Sequence, residues 1–172
     1  MIKYAQIVRD TIVDGIGLRD TLYVSGCPHN CPGCHNKALQ DYNYGEKDTK
    51  QIILDKLLES DNDLTISGGE PFEQSKELSL LLIEYKKHRP QSNIWIYSGY
   101  RFEEIKKDED KFALLKLCDV LVDGKFVESL KSLELVFRGS SNQRIIDVKK
   151  SLENDDIILI DLDKDKCLKT KV

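Results

Sequence analysis

The sequence predicts an α/β fold, an open partial (β/α) barrel of about five to six mainly parallel strands. Three observations predict it. From about Leu18 onward, short β-branched or apolar runs alternate with longer charged segments at helical period, the pattern of βα units and a mainly parallel sheet. With 172 residues the chain has room for one sizeable core, but a complete eight-unit barrel needs roughly 250. Right-handed crossovers would lay the helices on one side of a curling sheet, so residues 1–172 read as one domain around an unclosed barrel.

In chain order, the first thirty residues stand outside this scheme. Ile7-Val8 and Ile12-Val13 flank the turn-prone Asp14-Gly15 and Gly17, which reads as a short lead-in hairpin or loop. Strand candidates follow at Thr21–Val24, Leu64–Ser67, Ile94–Tyr97, Val120–Asp123, Leu135–Phe137 and Ile157–Asp161. Three segments between the first four read as helices: Thr49–Glu59, with Ile52, Ile53, Leu57 and Leu58 on one face; the Leu-rich Glu73–Lys87; and Phe102–Leu117, broken near Lys107–Asp110. The mixed-sign run Lys106–Lys111 reads as a solvated face.

Charge excludes one class of partner. The 26 Lys and Arg are interleaved with 30 Asp and Glu, for a formal net charge of −4; duplex binders cluster their cations, so no nucleic-acid partner is expected. Lys3, Arg9 and Asp10 leave the N-terminus without the apolar stretch of a secretory signal. Apolar runs such as Ile157–Ile160 fall far short of the ~18 residues that cross a bilayer. A cytoplasmic location and no membrane partner are the expectation. In such a reducing compartment, the crowding of Cys27, Cys31 and Cys34 favours metal or redox chemistry over disulfides.

The polar motifs fall at strand ends. Ser25-Gly26-Cys27 follows the first candidate strand, Ser67-Gly68-Gly69-Glu70-Pro71 the second, Tyr97-Ser98-Gly99 ends the third and Asp123-Gly124-Lys125 the fourth. Ligands of parallel α/β sheets bind beyond the carboxyl ends of the strands, so these four loops would face one pocket. Cys27-Pro28-His29-Asn30-Cys31-Pro32-Gly33-Cys34 places three thiolates on one tight loop. Against the four irons of a cubane cluster, three cysteines leave one iron open for a ligand. The alternative is a Cys₃His zinc site completed by His29 or His35. It is disfavoured because structural zinc sites usually draw on two separated knuckles, and His29 and His35 read better as a loop histidine and a supporting group. Cys118 reads as a small buried hydrophobe, Cys167 as a tail thiol.

At these cysteines the sequence resembles the radical S-adenosylmethionine enzymes, whose cluster motif has the same spacing. More narrowly, it is similar to the activating proteins of anaerobic ribonucleoside-triphosphate reductases. The residues that carry this are Asp14-Gly15-Ile16-Gly17, the run from Cys27 to Cys34 continuing through His35-Asn36, Ser67-Gly68-Gly69-Glu70-Pro71-Phe72, Trp95-Ile96-Tyr97-Ser98-Gly99-Tyr100, residues 119–126 ending in Asp123-Gly124-Lys125-Phe126, and Phe137-Arg138-Gly139-Ser140-Ser141-Asn142-Gln143-Arg144. Gly33 stands where the wider superfamily has an aromatic residue, which leaves only backbone for an adenine contact there, and Ile16 stands where related activators often have proline.

The resemblance implies a radical S-adenosylmethionine fold and a [4Fe–4S] cluster on Cys27, Cys31 and Cys34, its fourth iron chelated by S-adenosyl-L-methionine. It implies that Gly33, Cys34, His35, Gly68, Gly69, Glu70, Ser98, Asp123, Gly124 and Lys125 hold that cofactor. In this picture the Gly68-Gly69 loop and Glu70 meet the methionine amino group, Lys125 neutralises the carboxylate and Asp123 accepts from ribose hydroxyls. The implied partners are the reductase, as protein substrate of glycyl-radical formation, and reduced flavodoxin or a similar electron donor. Two rivals stand beside this reading: an activator of another glycyl-radical enzyme such as pyruvate formate-lyase, and a non-catalytic zinc-binding adaptor.

Overall fold

The computed structural model describes residues 1–162. Its elements, in order, are β1 (Ile2–Thr11), β2 (Arg19–Val24), β3 (Glu46–Asp48), α1 (Lys50–Leu57), β4 (Asp63–Gly68), α2 (Ser75–His88), β5 (Ile94–Tyr97), α3 (Phe102–Ile105), α4 (Glu109–Leu115), β6 (Val120–Asp123), β7 (Arg144–Asp147) and α5 (Val148–Asn154). The strands form a seven-stranded sheet in the order β3-β1-β2-β4-β5-β6-β7. The inner four run parallel, β2 on β4, β4 on β5 and β5 on β6. β1 and β3 on one flank and β7 on the other pair antiparallel.

Period-two alternation divides this sheet into two unlike faces. Leu22 and Val24, Leu64 and Ile66, Ile94 and Ile96, and Leu121 point to the side covered by α1, α2 and α4, where they join Ile53, Leu57, Leu78, Leu81, Leu82 and Leu114 in the main core. The alternate residues Thr21, Tyr23, Thr65, Ser67 and Tyr97 form a polar opposite face. Lower on that face, Trp95, Val120, Val122 and Ile145 make a second, smaller cluster with Phe137, Ile160 and Leu162. The helices are placed by ordinary caps. Thr49 Oγ1 accepts from the Ile52 N–H to start α1, Asp108 from Lys111 N–H to start α4, and Asp147 from Lys150 N–H to start α5.

The differences from the sequence expectation have local causes. The lead-in is a hairpin whose first arm, β1, belongs to the sheet; Lys3, Gln6, Arg9 and Asp10 dilute its apolar pattern, and register shifts at Tyr4/Gln6 and Val8/Thr11 break its alternation. On α1 the buried face is Ile53, Leu54 and Leu57, while Ile52 is exposed. The helical run broken near Lys107–Asp110 is two helices, α3 and α4. Leu135–Phe137 is not a strand but a bent segment with Phe137 at φ +53. Ile157–Asp161 makes only an isolated bridge, Leu159 to Ile146, and the seventh strand is instead Arg144–Asp147. Cys118 is fully buried, as expected; Cys167 lies outside the described residues. Among the described residues no helix is long and apolar enough to cross a membrane.

Candidate metal and cofactor site

A cavity of about 370 Å³ opens at the carboxyl ends of the parallel strands, within the size range of small-molecule sites. Cys27, Cys31 and Cys34 all line it, facing Ser67, Gly68 and Gly69 from the end of β4, and Ser98 and Gly99 from the end of β5. The cysteine loop reaches this position through backbone bonds. Gly26 N–H donates to the Leu39 carbonyl at 2.8 Å and Cys27 N–H to Gln40 at 3.1 Å, while Glu70 N–H returns a bond of 2.8 Å to Gly26. Gly68 makes this close approach with φ +105; a Cβ there would stand 2.4 Å from the Val24 carbonyl oxygen, so only glycine fits.

Burial pushes the Cys27 thiol up, and the negative charge of Glu70 adds to that; backbone hydrogen bonding from His29 opposes it. Burial also raises Cys31, against the opposing influence of the Phe126 N–H and the nearby Lys125 ammonium. Thiols in this state release protons when a metal takes them as thiolates. Soft sulfur donors suit iron–sulfur clusters or zinc. Among the described residues no three His, Cys, Asp or Glu side chains converge as the ligands of a single ion must. Thiolates that each take a different iron stand further apart than the ligands of one ion, and these three share one wall of the cavity. Of the two histidines that line the cavity, His29 is already committed, its Nε2 lying 2.8 Å from Glu70 Oε2, and His35 stands edge-on to Phe126. The donor set therefore fits a cluster better than a lone zinc ion.

Other predicted residues are distributed unevenly. His35 and Gly124 line the cavity, His35 with its ring edge-on to Phe126 at 5.7 Å. Gly33 stands beside it, held near the Glu128 carboxylate. Glu70 does not face the cavity. It is fully buried, its Oε1 accepting from Ser98 Oγ (2.9 Å) and Phe72 N–H (3.1 Å) and its Oε2 from Gly99 N–H (2.8 Å) and His29. A carboxylate has about four acceptor positions, and all four are filled, so none is left for a ligand's amino group. Asp123 is likewise turned away. The expectation that Asp123 and Lys125 share the mouth needed the extended period to run on past the strand, but β6 ends at Asp123 and Gly124, at φ +99, breaks it; Leu121 and Asp123 lie on the helix side, whereas Val122 and Gly124 lie on the cavity side. Asp123 accepts from Phe102 N–H at 2.8 Å and from Arg144 Nε at 2.9 Å. Lys125 is exposed on the rim, near enough to Cys31 to favour its thiolate.

The structure gives roles to two residues that the sequence motifs contain but to which no function was assigned. Asp14 lines the cavity and accepts from Tyr23 OH at 2.7 Å and Thr21 Oγ1 at 3.0 Å. Gln143, in the Arg138–Arg144 block, ties that block to the β6 end: its Nε2 donates to the Gly124 carbonyl at 2.9 Å and its Oε1 accepts from Gly139 and Ser140 N–H. Phe126, Leu135, Phe137 and Arg138 complete the wall. The alternation of Thr21 and Tyr23 along β2 was the available signal for Asp14's partners; the resemblance marked the block that holds Gln143, but nothing local singled out that side chain.

The family model of the 4Fe-4S single cluster domain matches residues 13–146, from the cavity-lining Val13 into β7. An anaerobic ribonucleoside-triphosphate reductase-activating protein from Salmonella typhi is 39% identical over 150 residues, spanning 82% of this chain and 96% of the relative. The chain belongs to this family. The activating protein from Escherichia coli strain K12 is 37% identical over the same shares of both chains, and that of Enterobacteria phage T4 is 34% identical over 83% of this chain and 92% of the relative. Members are iron–sulfur activating enzymes with one [4Fe–4S] cluster, which sets aside the zinc-binding adaptor.

Proposed function

We propose that this chain activates an anaerobic ribonucleoside-triphosphate reductase, using S-adenosylmethionine at its [4Fe–4S] cluster to leave a glycyl radical on the reductase. The observation that carries this is the meeting of Cys27, Cys31 and Cys34 with the backbone of Gly68, Gly69 and Gly99 around one cavity, in a chain 37–39% identical to activating proteins of that name. We read the open seven-stranded sheet as a partial barrel of radical S-adenosylmethionine type. That partial opening suits a macromolecular substrate, whose glycine loop must thread to the cavity.

Cys27, Cys31 and Cys34 would hold three irons. When bound, the cluster and S-adenosylmethionine supply a 5′-deoxyadenosyl radical able to remove a hydrogen atom from a backbone glycine. The chain's own residues orient and shield. Gly68 and Gly69, without side chains, let a ligand lie against the backbone at the end of β4. Ser98 lines the cavity while its hydroxyl is spent on Glu70, so it positions rather than reads the ligand. Lys125, on the rim, provides positive charge for a carboxylate, and Asp14 provides a held acceptor for hydroxyl or amide donors. Electrons come from reduced flavodoxin or a donor of similar strength.

The test is anaerobic co-incubation of the reconstituted chain with S-adenosylmethionine, a one-electron donor and the reductase. A glycine-centred EPR doublet on the reductase is the expected result. Cleavage of S-adenosylmethionine with a doublet only on another glycyl-radical enzyme, such as pyruvate formate-lyase, would move the assignment there, and a silent reductase with no cleavage would overturn it.

A further inference from the structure

The buried Glu70 carboxylate, saturated by the protein's own donors, has no role in the function just described, and neither does the imidazole that reaches it. We propose that His29 and Glu70 are positioning residues, a latch by which the carboxylate holds the cysteine loop against the ends of β4 and β5. The inference rests on the reading that this loop carries the cluster.

Glu70 gathers three separate segments. Its own backbone closes the β4 loop on Gly26; its side chain takes Ser98 Oγ and Gly99 N–H from the β5 end; and it takes His29 from the stretch between Cys27 and Cys31. Ser98 Oγ in turn accepts from Tyr100 N–H at 3.0 Å, and Tyr100 packs edge-on against the His29 ring, centroids 4.5 Å apart. The His29 side chain is only 6% exposed and Glu70 is fully buried. Such a carboxylate is tolerated in the interior only when its acceptors are satisfied.

The cysteine loop needs an external tie. Pro28 and Pro32 remove two backbone donors from it, and Asn30 sits in the left-handed region at φ +47. His29 supplies that tie between the first two cysteines, through its bond to Glu70. Gly99 makes room for it: a Cβ there would lie 2.2 Å from the His29 ring. Gly99 is not in the left-handed region, so an alanine would strain this one contact and leave the backbone at ease.

The test follows amide hydrogen exchange in the full chain, reduced, with and without its cluster, for wild type, His29→Ala, His29→Gln and Gly99→Ala. Loss of a buried hydrogen bond to a charged group is worth about tenfold or more in an opening equilibrium. His29→Ala and Gly99→Ala should therefore speed exchange across residues 27–36 by about that factor. In reconstituted protein both should blunt the change in the cluster's EPR spectrum on adding S-adenosylmethionine. His29→Gln, whose amide Nε2 can donate to Glu70 Oε2, should restore exchange to within about threefold of wild type. Wild-type exchange in His29→Ala, or a Gln variant as perturbed as Ala, would overturn the latch. Circular dichroism identifies a variant that does not fold, in which case the Gly99→Ala and Gln arms decide. A wild-type chain that takes up no cluster would sink the proposed function, while exchange in the cluster-free chain still judges the latch.

Discussion

Arg144→Met should be among the most damaging single changes outside the cavity itself. In the native chain Asp123 is fully buried and Arg144 donates to both its oxygens, with Glu103 as a second, half-exposed partner at 2.8 Å. Methionine removes the cation and leaves the Asp123 carboxylate with the Phe102 N–H and with Arg101, whose guanidinium is 3.5 Å away and partly exposed. Breaking a buried pair by removing one partner costs about 3–5 kcal/mol. The remaining Arg101 places this case at the low end, about 3 kcal/mol. For a chain of this size that is roughly 6–12 °C in melting temperature. The assay is urea unfolding of the cluster-free chain, read from the fluorescence of Trp95, the single tryptophan, which is buried and 5.5 Å from the Phe137 ring. Asp123→Asn and the double variant complete a cycle, whose coupling should reach about 2 kcal/mol. Additive losses, or an Arg144→Met cost below about 1 kcal/mol, would refute the clasp as a stabilising element.

The same cluster of charges sets a pH response. The Arg144 guanidinium, outweighing partial burial, holds Glu103 down at about 2 from an ordinary 4.5. A depressed carboxyl stabilises the fold fully above its unfolded value and loses that contribution as pH falls through the folded one. Wild type should therefore lose melting temperature more steeply between about pH 4.5 and 2 than Glu103→Gln does; Glu103 is half-exposed, so the difference is small. Parallel slopes would show that the pair is screened out. Cys118→Ala should leave about four irons per chain after anaerobic reconstitution and cost about 1 kcal/mol of stability, because Cys118 is fully buried and its Sγ turns to the Leu114 carbonyl. Cys31→Ser should lose most of that iron, and retention of a full complement would remove Cys31 from the ligand set.

Much of this molecule can be read from its residues. The parallel strands announce themselves because each is a short run buried on both faces, and β5 and β6 begin and end where composition puts them. The cysteine loop, the Gly68-Gly69 turn and Gly124 are legible because close approach and thiolate ligation demand particular residue types at short range. What escaped depends on distant partners. β1 is hidden by charges on its exposed side, and β7 by a sequence, Arg144-Ile-Ile-Asp147, too short to stand out. Glu70 and Asp123 have the chemistry of ligand contacts, but Ser98, His29, Arg144 and Phe102 consume it. No local pattern states that a carboxylate's acceptors are already taken.

Asp123 and Arg144 are paired both by register and by charge, and the wall segment 124–143 departs and returns between them. It is thus a bight whose neck is tied independently of its contents. Lengthening such a bight twofold adds only about 0.6 kcal/mol of closure entropy, so insertions or deletions there can widen or narrow the entrance while the sheet beneath keeps its alignment. Divergence in which macromolecule gains entry can accumulate in that stretch with little penalty to the scaffold.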